Sequence, residues 1–307
     1  MSKKKLSTQF WFEYLCLRLL VWVLTPLTIR SRQTFAEFVG TFAYFFLPFR
    51  KKVVLNNLKR AFPESTRQWR HRIARRAYVH FTKVYFDLIP VFHLSDSRFF
   101  RYVRNDDQSV LDDVLKQKKG ALIVLFHLGN WEVFADWYAR KGYAIGAIAK
   151  KLKNPLTHNL IFRTRTRNGA RLFPKTKRQS VKMWKFVKNG NILYMVADQD
   201  AGKNGIFVRF FDQWSSTFRG PALFATKLKC PLILGTCLMD TDGKYAIRLK
   251  ELQVEDAIQE SGDPIQQVTQ SITDYFQEEI RRCPEQYYWF HRRWKTKPPK
   301  ELLGNNA

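Results

Sequence analysis

Short apolar runs alternate with helical stretches along the middle of the chain, and this alternation constrains the fold most strongly. Five runs have the length of a strand: Ala121–Phe126, Tyr143–Ala149, Asn191–Ala197, Cys230–Leu238 and Lys244–Leu249. Helical stretches lie around them, near residues 131–140, 155–168, 178–189, 218–229 and 264–282. The wholly apolar run ALIVLF predicts a strand that is covered on both faces. Strands that alternate with helices predict an α/β fold with a mostly parallel central sheet flanked by helices on both faces.

The chain is strongly basic, with 53 Lys and Arg residues against 26 Asp and Glu residues and a formal net charge of +27. Hydrophobic residues make up 45% of the 307 residues, which is enough for a core and excludes a disordered basic tail. A charge of this size favours an anionic partner, which is a nucleic acid, an anionic membrane, an acidic protein or a phosphorylated substrate.

The four cysteines, Cys16, Cys230, Cys237 and Cys283, form no CxxC pair. At this density a disulfide framework is not expected, which indicates a reducing compartment. The His, Cys and Asp residues of the sequence form no cluster with metal-ligand spacing, and the sequence has no Gly-rich phosphate loop. We therefore expect neither a metal nor a resident cofactor.

The first 52 residues contain two apolar stretches, Phe10–Leu27 and Phe35–Phe49. Basic residues precede, separate and follow them: Lys3–Lys5, Arg30 and Arg32, and Arg50–Lys52. Arg18 would cost about 2.5–3.5 kcal/mol at the centre of a bilayer, whereas a helix in the interface lets its side chain reach water. We expect an apolar helical membrane anchor over residues 1–52 that lies on the membrane surface, followed by a catalytic domain over 53–307. A single membrane span and two ordinary core helices are the alternatives.

The strongest candidate for chemistry is the segment from His127 to Glu132. His127 directly follows the apolar run 121–126, and ligands bind at the carboxyl ends of strands in open α/β sheets. On a regular helix, side chains five residues apart diverge by about 140°, so the two can meet only if the chain turns after His127 into a helix that contains Glu132. A His oriented by a carboxylate is a general base that can deprotonate a hydroxyl group. The alternative is a strand-end His that bonds its own backbone.

Three arginines and an aspartate are candidates for substrate binding. Arg163 and Arg167 are one helical turn apart and share a face, where two guanidinium groups can hold a phosphate, whereas Arg165 points elsewhere. Asp198 directly follows the apolar run 191–197, so we expect it at the carboxyl edge of the sheet. A solvated basic face and a turn-capping Asp are the alternatives.

The C-terminal segment 287–300 interleaves aromatic and basic side chains. The aromatic residues are Tyr287, Tyr288, Trp289, Phe290 and Trp294, and the basic residues are Arg292, Arg293, Lys295 and Lys297. This composition suits a membrane–water interface. It also suits single-stranded nucleic acid, whose bases stack on aromatic side chains.

Seven short motifs are spread along almost the whole chain, from about Arg50 to Lys300. They are Arg50-Lys-Lys-Val-Val-Leu-Asn-Asn-Leu, Phe62-Pro-Glu64, His127-Leu-Gly-Asn-Trp-Glu132, Asn154-Pro155, Val196-Ala-Asp198-Gln-Asp200, Phe207-Val-Arg-Phe-Phe211 and the segment from Gln286 to Pro298. In this order they resemble the lipid A late acyltransferases (lauroyl/myristoyl transferases) of the lysophospholipid acyltransferase superfamily. That family has His-x4-Asp/Glu as its catalytic pair, so the resemblance implies that His127 and Glu132 are catalytic. It also implies a functional arginine, which Arg163 matches best by its distance from Asn154-Pro155, and a functional acidic residue at Asp198.

The resemblance implies transfer of a fatty acyl chain from a thioester carrier to a lipid hydroxyl at the cytoplasmic face of a bacterial inner membrane. The acceptor is then an anionic lipid, a lipid A precursor or a related glycolipid or lysophospholipid, and nucleic acid is not a partner. The co-substrate is acyl carrier protein or coenzyme A loaded with the acyl chain. We expect acyl carrier protein to be the better donor, because such proteins are strongly acidic and this chain is basic.

In this interpretation His127 is the general base, and Glu132 orients it and stabilises the imidazolium. Backbone amides near the start of the helix at residue 131 are expected to bind the oxyanion. The substrate-binding residues are then Arg163, Arg165, Arg167, Asp198 and Asn130.

Two other functions remain open on the sequence. A lipid ester hydrolase would use the same His–Glu pair and would differ from a transferase only in admitting water. A nucleic-acid-binding protein without enzymatic activity would use the charge of +27 and the aromatic segments. The N-terminal apolar stretches favour the lipid enzyme, because a soluble nucleic-acid-binding protein has no use for them.

Overall fold

The structure is a computed structural model that describes residues 6–47, 49–174 and 176–302, so the basic cluster Lys3–Lys5 lies outside the described residues. The helices are α1 (Thr8–Leu24), α2 (Ile29–Phe46), α3 (Lys51–Ala61), α4 (Arg67–Asp87), α5 (Asp96–Tyr102), α6 (Gln108–Lys116), α7 (Trp131–Arg140), α8 (Pro155–Thr166), α9 (Lys177–Lys188), α10 (Gly220–Leu228) and α11 (Pro264–Arg282). The strands are β1 (Val103–Asn105), β2 (Ala121–Leu125), β3 (Ile145–Ala149), β4 (Arg171–Pro174), β5 (Ile192–Val196), β6 (Ile206–Phe210), β7 (Gln213–Thr217), β8 (Leu232–Met239) and β9 (Tyr245–Leu252).

A seven-stranded sheet forms the centre of the protein, in the strand order β1-β9-β8-β2-β5-β3-β4. β2 pairs in parallel with both β5 and β8, and β3 pairs in parallel with β4 and β5. The β8–β9 ladder is antiparallel, and β6 and β7 form a separate antiparallel hairpin. The predicted α/β fold, with a mostly parallel central sheet flanked by helices, is confirmed.

All five apolar runs form strands, and β2 is buried at every position. The sequence missed β1, β4 and the β6–β7 hairpin. β1 (VRN) and β4 (RLFP) are short and contain a charged residue, so neither has the apolar run that marks a buried strand. The hairpin lies outside the central sheet and is only partly covered.

Two helices begin at clear sequence signals and have the predicted bounds. α7 starts after Asn130, whose side chain accepts hydrogen bonds from two amides of the first helical turn. α11 starts after Asp263, whose side chain caps the amide of Ile265, with Pro264 at the first helical position. Both capping residues satisfy donors that a helix start leaves unpaired, and proline there loses no hydrogen bond.

A buried ion pair holds α2 against α4. Arg32 Nε donates to Asp87 Oδ1 at 2.8 Å, and both side chains are almost completely buried. The Tyr102 hydroxyl donates to the other carboxylate oxygen at 2.6 Å. Burial raises the pKa of Asp87, although Arg32 and the hydrogen bonds oppose the rise. α2 therefore contributes to the core, while the division of the chain at residue 52 stays a prediction.

The outer sides of α1 and α2 expose large apolar side chains, which we call the N-terminal apolar face. They are Trp11, Phe12, Leu15, Leu19, Trp22, Phe38, Phe42, Phe45, Phe46 and Leu47. Among the helices of residues 6–47, 49–174 and 176–302, none is long and apolar enough to cross a membrane.

The C-terminal aromatic segment belongs to the core, which corrects the interpretation of these residues as a membrane-facing or nucleic-acid-facing surface. Its buried aromatic residues are Tyr287, Trp289, Phe290 and Trp294. Arg293 is also buried, and its guanidinium donates to the Ser216 carbonyl at 2.7 Å and to the Thr217 hydroxyl at 2.5 Å. Aromatic and basic composition does not determine exposure, because an arginine can be buried where oxygen atoms accept its hydrogens.

Candidate functional site

The turn between β2 and α7 presents His127 at the carboxyl edge of the sheet. Gly129 in this turn has a φ of +65°, and a Cβ atom there would lie 2.0 Å from the Cys237 carbonyl oxygen, so only glycine fits. The Gly129 amide donates to the Gln286 carbonyl at 2.9 Å, and the Asn130 amide donates to the Cys237 carbonyl at 2.7 Å. The turn is therefore fixed by two neighbouring segments of the chain.

His80 on α4 supports the same turn, although no motif in the sequence indicated it. Its Nε2 lies 3.3 Å from the Gly129 carbonyl oxygen. Burial lowers the pKa of His80 to about 4, despite the opposing effect of this carbonyl, so the ring is neutral at neutral pH. Because a carbonyl oxygen only accepts hydrogen bonds, Nε2 has the proton and donates it. His80 thus helps to hold the backbone that presents His127.

His127 pairs with Asp198, since Nδ1 lies 2.6 Å from Asp198 Oδ1. The two residues meet because β2 and β5 are parallel neighbours, with Leu125 opposite Val196, so both follow their strands at the same edge. Burial by itself would raise the pKa of Asp198, but His127 and Arg293 outweigh it and hold this pKa below its usual value. The carboxylate is therefore ionised, Nδ1 donates its proton to it, and Nε2 is left as the basic nitrogen.

Asp198 lies behind His127 and is only 2% exposed. Its hydrogen bond is with Nδ1 of His127, and Arg293 and Tyr287 lie within electrostatic range. Its partner is thus the imidazole, and the expectation that Asp198 binds substrate stays a prediction.

Glu132 pairs with Arg165, which corrects the predicted hydrogen bond between Glu132 and His127. Arg165 Nε lies 2.8 Å from Glu132 Oε2, and Nη2 lies 2.5 Å from Oε1, so the pair is bidentate. Glu132 lies in the first turn of α7 and faces α8, whereas His127 lies before the turn and faces β5. A catalytic contribution of Glu132 stays a prediction.

Among the three arginines, the structure brings Arg165 into the site and leaves Arg163 and Arg167 exposed. Residues two apart on a helix diverge by about 200°, so Arg165 lies on the opposite side of α8 from the other two. The spacing predicted this opposition, but distance from Asn154-Pro155 selected Arg163 as the functional residue. The sequence could not show which side of α8 faces the site.

Asn130 is fully buried and caps α7. Its Oδ1 accepts from the amides of Glu132 at 3.2 Å and Val133 at 3.4 Å. Asn130 therefore stabilises the start of α7, and the expectation that it contacts substrate stays a prediction. It also engages two of the amides near residue 131 that we expected to bind an oxyanion.

Two aromatic side chains adjoin His127. The Trp131 ring lies 4.6 Å from the imidazole, edge to face, and the Tyr288 ring lies 5.8 Å from it. The Tyr288 amide donates to the His127 carbonyl at 2.9 Å, and the Tyr85 phenol lies within electrostatic range of Tyr288. Trp131 and Tyr288 lie within motifs of the sequence, but nothing there indicated Tyr85.

This arrangement supports general-base chemistry on a hydroxyl group. The His127 side chain is 19% exposed while its carboxylate partner is covered, so the imidazole is open to a substrate. Burial raises the pKa of the nearby Cys237 thiol, which makes it a poor nucleophile. In residues 6–47, 49–174 and 176–302, no group of three or more His, Cys, Asp or Glu side chains could hold a metal ion.

Comparisons with known sequences relate the chain to lipid acyltransferases. The family model described as "Bacterial lipid A biosynthesis acyltransferase" matches residues 1–296. The chain is 24% identical over 303 residues to the lipid A biosynthesis lauroyltransferase of Escherichia coli (strain K12), which covers 97% of this chain and 95% of that protein. It is 21% identical over 313 residues to the lipid A biosynthesis palmitoleoyltransferase of the same strain, with coverage of 98% and 96%. A phosphatidylinositol mannoside acyltransferase of Mycobacterium tuberculosis (strain CDC 1551 / Oshkosh) is 22% identical over 187 residues, which are 60% of this chain and 57% of that protein.

Proposed function

Because the chain belongs to the bacterial lipid A biosynthesis acyltransferase family, we infer that it is an acyltransferase that acts on lipids. We propose that it transfers a fatty acyl chain from an acyl thioester to a hydroxyl group of a lipid A precursor or a related glycolipid. The observation that supports this most is the 2.6 Å hydrogen bond between His127 Nδ1 and the buried Asp198. A base held in this way is suited to removing a proton from a hydroxyl group.

His127 is the general base of the proposed reaction. The acceptor hydroxyl donates a hydrogen bond to Nε2, and its proton moves there as the oxygen attacks the thioester carbonyl. Asp198 stabilises the imidazolium through the Nδ1 proton. When the tetrahedral intermediate collapses, the carbon–sulfur bond breaks and the imidazolium returns the proton to the leaving thiolate. The products are the new ester and the free thiol, and no acyl group is attached to the enzyme.

Glu132 and Arg165 support this reaction from the other side of the site. The bidentate pair fixes the guanidinium and uses two of its five N–H groups. The remaining N–H groups can donate to the oxyanion of the thioester or to a phosphate of the acceptor. The exposed Arg163 and Arg167 on the same helix add positive charge for an anionic acceptor.

The N-terminal apolar face supports binding to a membrane surface, where the acceptor is found. Large apolar side chains enter the interfacial region of a bilayer, and basic residues bind its anionic lipids. α1 also contacts α8, because Asn154 Nδ2 donates to the Phe10 carbonyl at 2.9 Å and to Glu13 at 3.0 Å. Since α8 has Arg165, we propose that α1 and α2 hold the site against the cytoplasmic face of a bacterial inner membrane.

Mass spectrometry of a reconstituted reaction tests the proposal. The full-length protein is mixed with an acyl thioester and a lipid A precursor in neutral detergent micelles. We expect the mass of the precursor to rise by one acyl chain, and His127→Gln, checked for folding by circular dichroism, to form no such product. Free fatty acid as the only product would identify a hydrolase instead, and an unchanged precursor and thioester would reject the transfer.

A further inference from the structure

A cavity of about 400 Å³ lies between α2, α4, the loop after β8 and residues 285–286. This volume is typical of small-molecule pockets, which measure about 300–1,000 Å³. The side chains of the candidate active site, His127, Asp198, Glu132 and Arg165, do not line the cavity. It is therefore a separate site, and the proposed reaction does not use it.

The floor of the cavity, formed by His80, Met239 and Gln286, is held by hydrogen bonds. His80 Nε2 lies 3.3 Å from the Gly129 carbonyl oxygen. The Met239 amide donates to Gln286 Oε1 at 2.8 Å, and Gln286 Nε2 donates to the Met239 carbonyl at 2.8 Å. Because these polar groups already have partners, a ligand in the cavity is bound by the charged residues of its walls.

The walls of the cavity have charges of both signs, although the chain as a whole is strongly basic. The charged lining residues are Arg75, Arg76, Lys83, Glu37, Asp240 and Glu285. Glu37 lies 3.9 Å from Lys83, and Asp240 lies 2.5 Å from Arg104, which is outside the cavity. In residues 6–47, 49–174 and 176–302, the side chains of Arg75, Arg76 and Glu285 form no ion pair or hydrogen bond. Two cations and one carboxylate are thus available to a ligand.

The cavity borders the N-terminal apolar face. Glu37 and Thr41 line the cavity, and each directly precedes a phenylalanine of that face, Phe38 and Phe42. Adjacent residues on a helix point about 100° apart, so the cavity lies at the flank of the exposed rings. Apolar side chains of a helix at a membrane surface enter the boundary between headgroups and acyl chains. The cavity is therefore level with the lipid headgroups when this face lies on a membrane.

We propose that the cavity binds a phospholipid headgroup that contains a phosphate and a primary amine, as phosphatidylethanolamine does. Arg75 and Arg76 bind the phosphate, because guanidinium groups match its oxygen atoms in charge and geometry. Glu285 accepts hydrogen bonds from the ammonium group. A phosphate alone would face the carboxylate of Glu285 and leave it without a partner, whereas a headgroup with both charges matches the cavity. The lipid as the source of this headgroup rests on the membrane binding that we propose for the N-terminal apolar face.

Titration with water-soluble headgroups tests the ligand chemistry of the cavity. The full-length protein in neutral detergent micelles is titrated calorimetrically with glycerophosphoethanolamine and with glycerophosphate, which lacks the amine. We expect the first compound to bind about tenfold more tightly or better, because only its ammonium group can donate to Glu285. Arg76→Gln and Glu285→Gln should each weaken its binding about tenfold, since each removes a hydrogen bond between charged groups.

Arg72→Gln is the matched control, because Arg72 is exposed on α4 one helical turn before Arg76 and does not line the cavity. It should leave binding of glycerophosphoethanolamine within about twofold of the wild type. Equal binding of the two compounds, or no binding of either, would overturn the proposal. An equal loss in Arg72→Gln and Arg76→Gln would assign the binding to the general positive charge of α4 and overturn it as well.

Vesicles distinguish a lipid from a soluble source of the headgroup. Flotation compares the wild type and Glu285→Gln on phosphatidylcholine vesicles with and without phosphatidylethanolamine, since choline has the same charge as ethanolamine but no N–H group to donate. We expect phosphatidylethanolamine to raise the bound fraction of the wild type and not that of Glu285→Gln. Binding of the soluble headgroup without this rise would retain the chemistry of the cavity and overturn the lipid as its source. None of these measurements depends on acyl transfer, so this proposal and the proposed reaction can fail independently.

Discussion

The carboxylate of Asp198 determines which nitrogen of His127 acts as a base. Because this carboxylate accepts a hydrogen bond from Nδ1–H, Nε2 is left unprotonated, and the His127 side chain is partly exposed. An Asn at this position can donate an N–H to Nδ1 and so favour the opposite tautomer, in which Nε2 has the proton and cannot accept one. We expect Asp198→Asn to lower kcat about 10²–10⁴-fold with little change in KM.

Glu132→Gln is the comparison for that measurement, since it keeps the shape of the side chain and changes the pair with Arg165. It should lower kcat less than Asp198→Asn does, because Glu132 does not contact the imidazole in this structure. Both variants are measured for kcat and KM after a check of their thermal unfolding. A larger loss of kcat in Glu132→Gln would mean that Glu132 is the partner of the base in the working enzyme.

Arg165 and Arg163 should differ sharply although they are two residues apart. Arg165→Ala leaves the buried Glu132 without a partner, so we expect a fall of about 10²-fold or more in kcat together with a lower melting temperature. Arg165→Lys should recover only part of the loss, because Lys cannot form the bidentate pair. Arg163→Ala should change only the KM for a phosphorylated acceptor, since Arg163 is exposed. A kcat loss in Arg163→Ala as large as in Arg165→Ala would reject this distinction.

The sequence predicted the positions of His127 and Asp198 but not their pairing. Both His127 and Asp198 were predictable as strand-end residues, because each directly follows an apolar run. The strand order, which makes β2 and β5 neighbours, cannot be read from those runs. Without it, the nearby Glu132 was the obvious partner and the distant Asp198 was not. Tyr85 and His80 lie in an ordinary helical pattern, so their contacts appear only in the folded chain.

Between helices, the Arg32–Asp87 pair should hold α2 in place. Removing one partner of a buried pair leaves a charge without compensation, so Asp87→Ala should lower the free energy of unfolding by about 3–5 kcal/mol. The control is Asp113→Ala, which removes the exposed pair with Lys116 and should leave the free energy of unfolding nearly unchanged. Denaturant titration in the same detergent measures both variants. Equal stability of the two would show that α2 does not depend on the buried pair.

The elements differ in how far their sequences specify them. Buried strands and amphipathic helices were predictable, because burial on both faces requires an apolar run and α7 and α11 begin at capping residues. The C-terminal segment was not, since the same aromatic and basic residues suit an interface or a core. This segment is buried because it contacts residues that are distant in sequence, as Arg293 contacts Ser216.

Across the whole protein, the net charge of +27 suits the two anionic partners that we propose, the membrane and the acyl donor. Acyl carrier proteins are small and strongly acidic, so a basic surface accelerates their encounter with the enzyme over long distances. Coenzyme A also has phosphates, but its contact is smaller and involves fewer charges. The two donors should therefore respond differently to salt.

We expect the kcat/KM for acyl carrier protein to fall at least about tenfold when the ionic strength rises from about 0.01 M to about 0.15 M, because the screening length shortens from about 30 Å to about 8 Å. The kcat/KM for acyl-coenzyme A should fall only about two- to threefold over the same range, since fewer charges take part. The acceptor is presented in neutral detergent micelles, so that salt does not also change binding to a charged membrane. A flat salt response for acyl carrier protein, with equal or better use of acyl-coenzyme A, would assign the excess positive charge to the lipid surface alone.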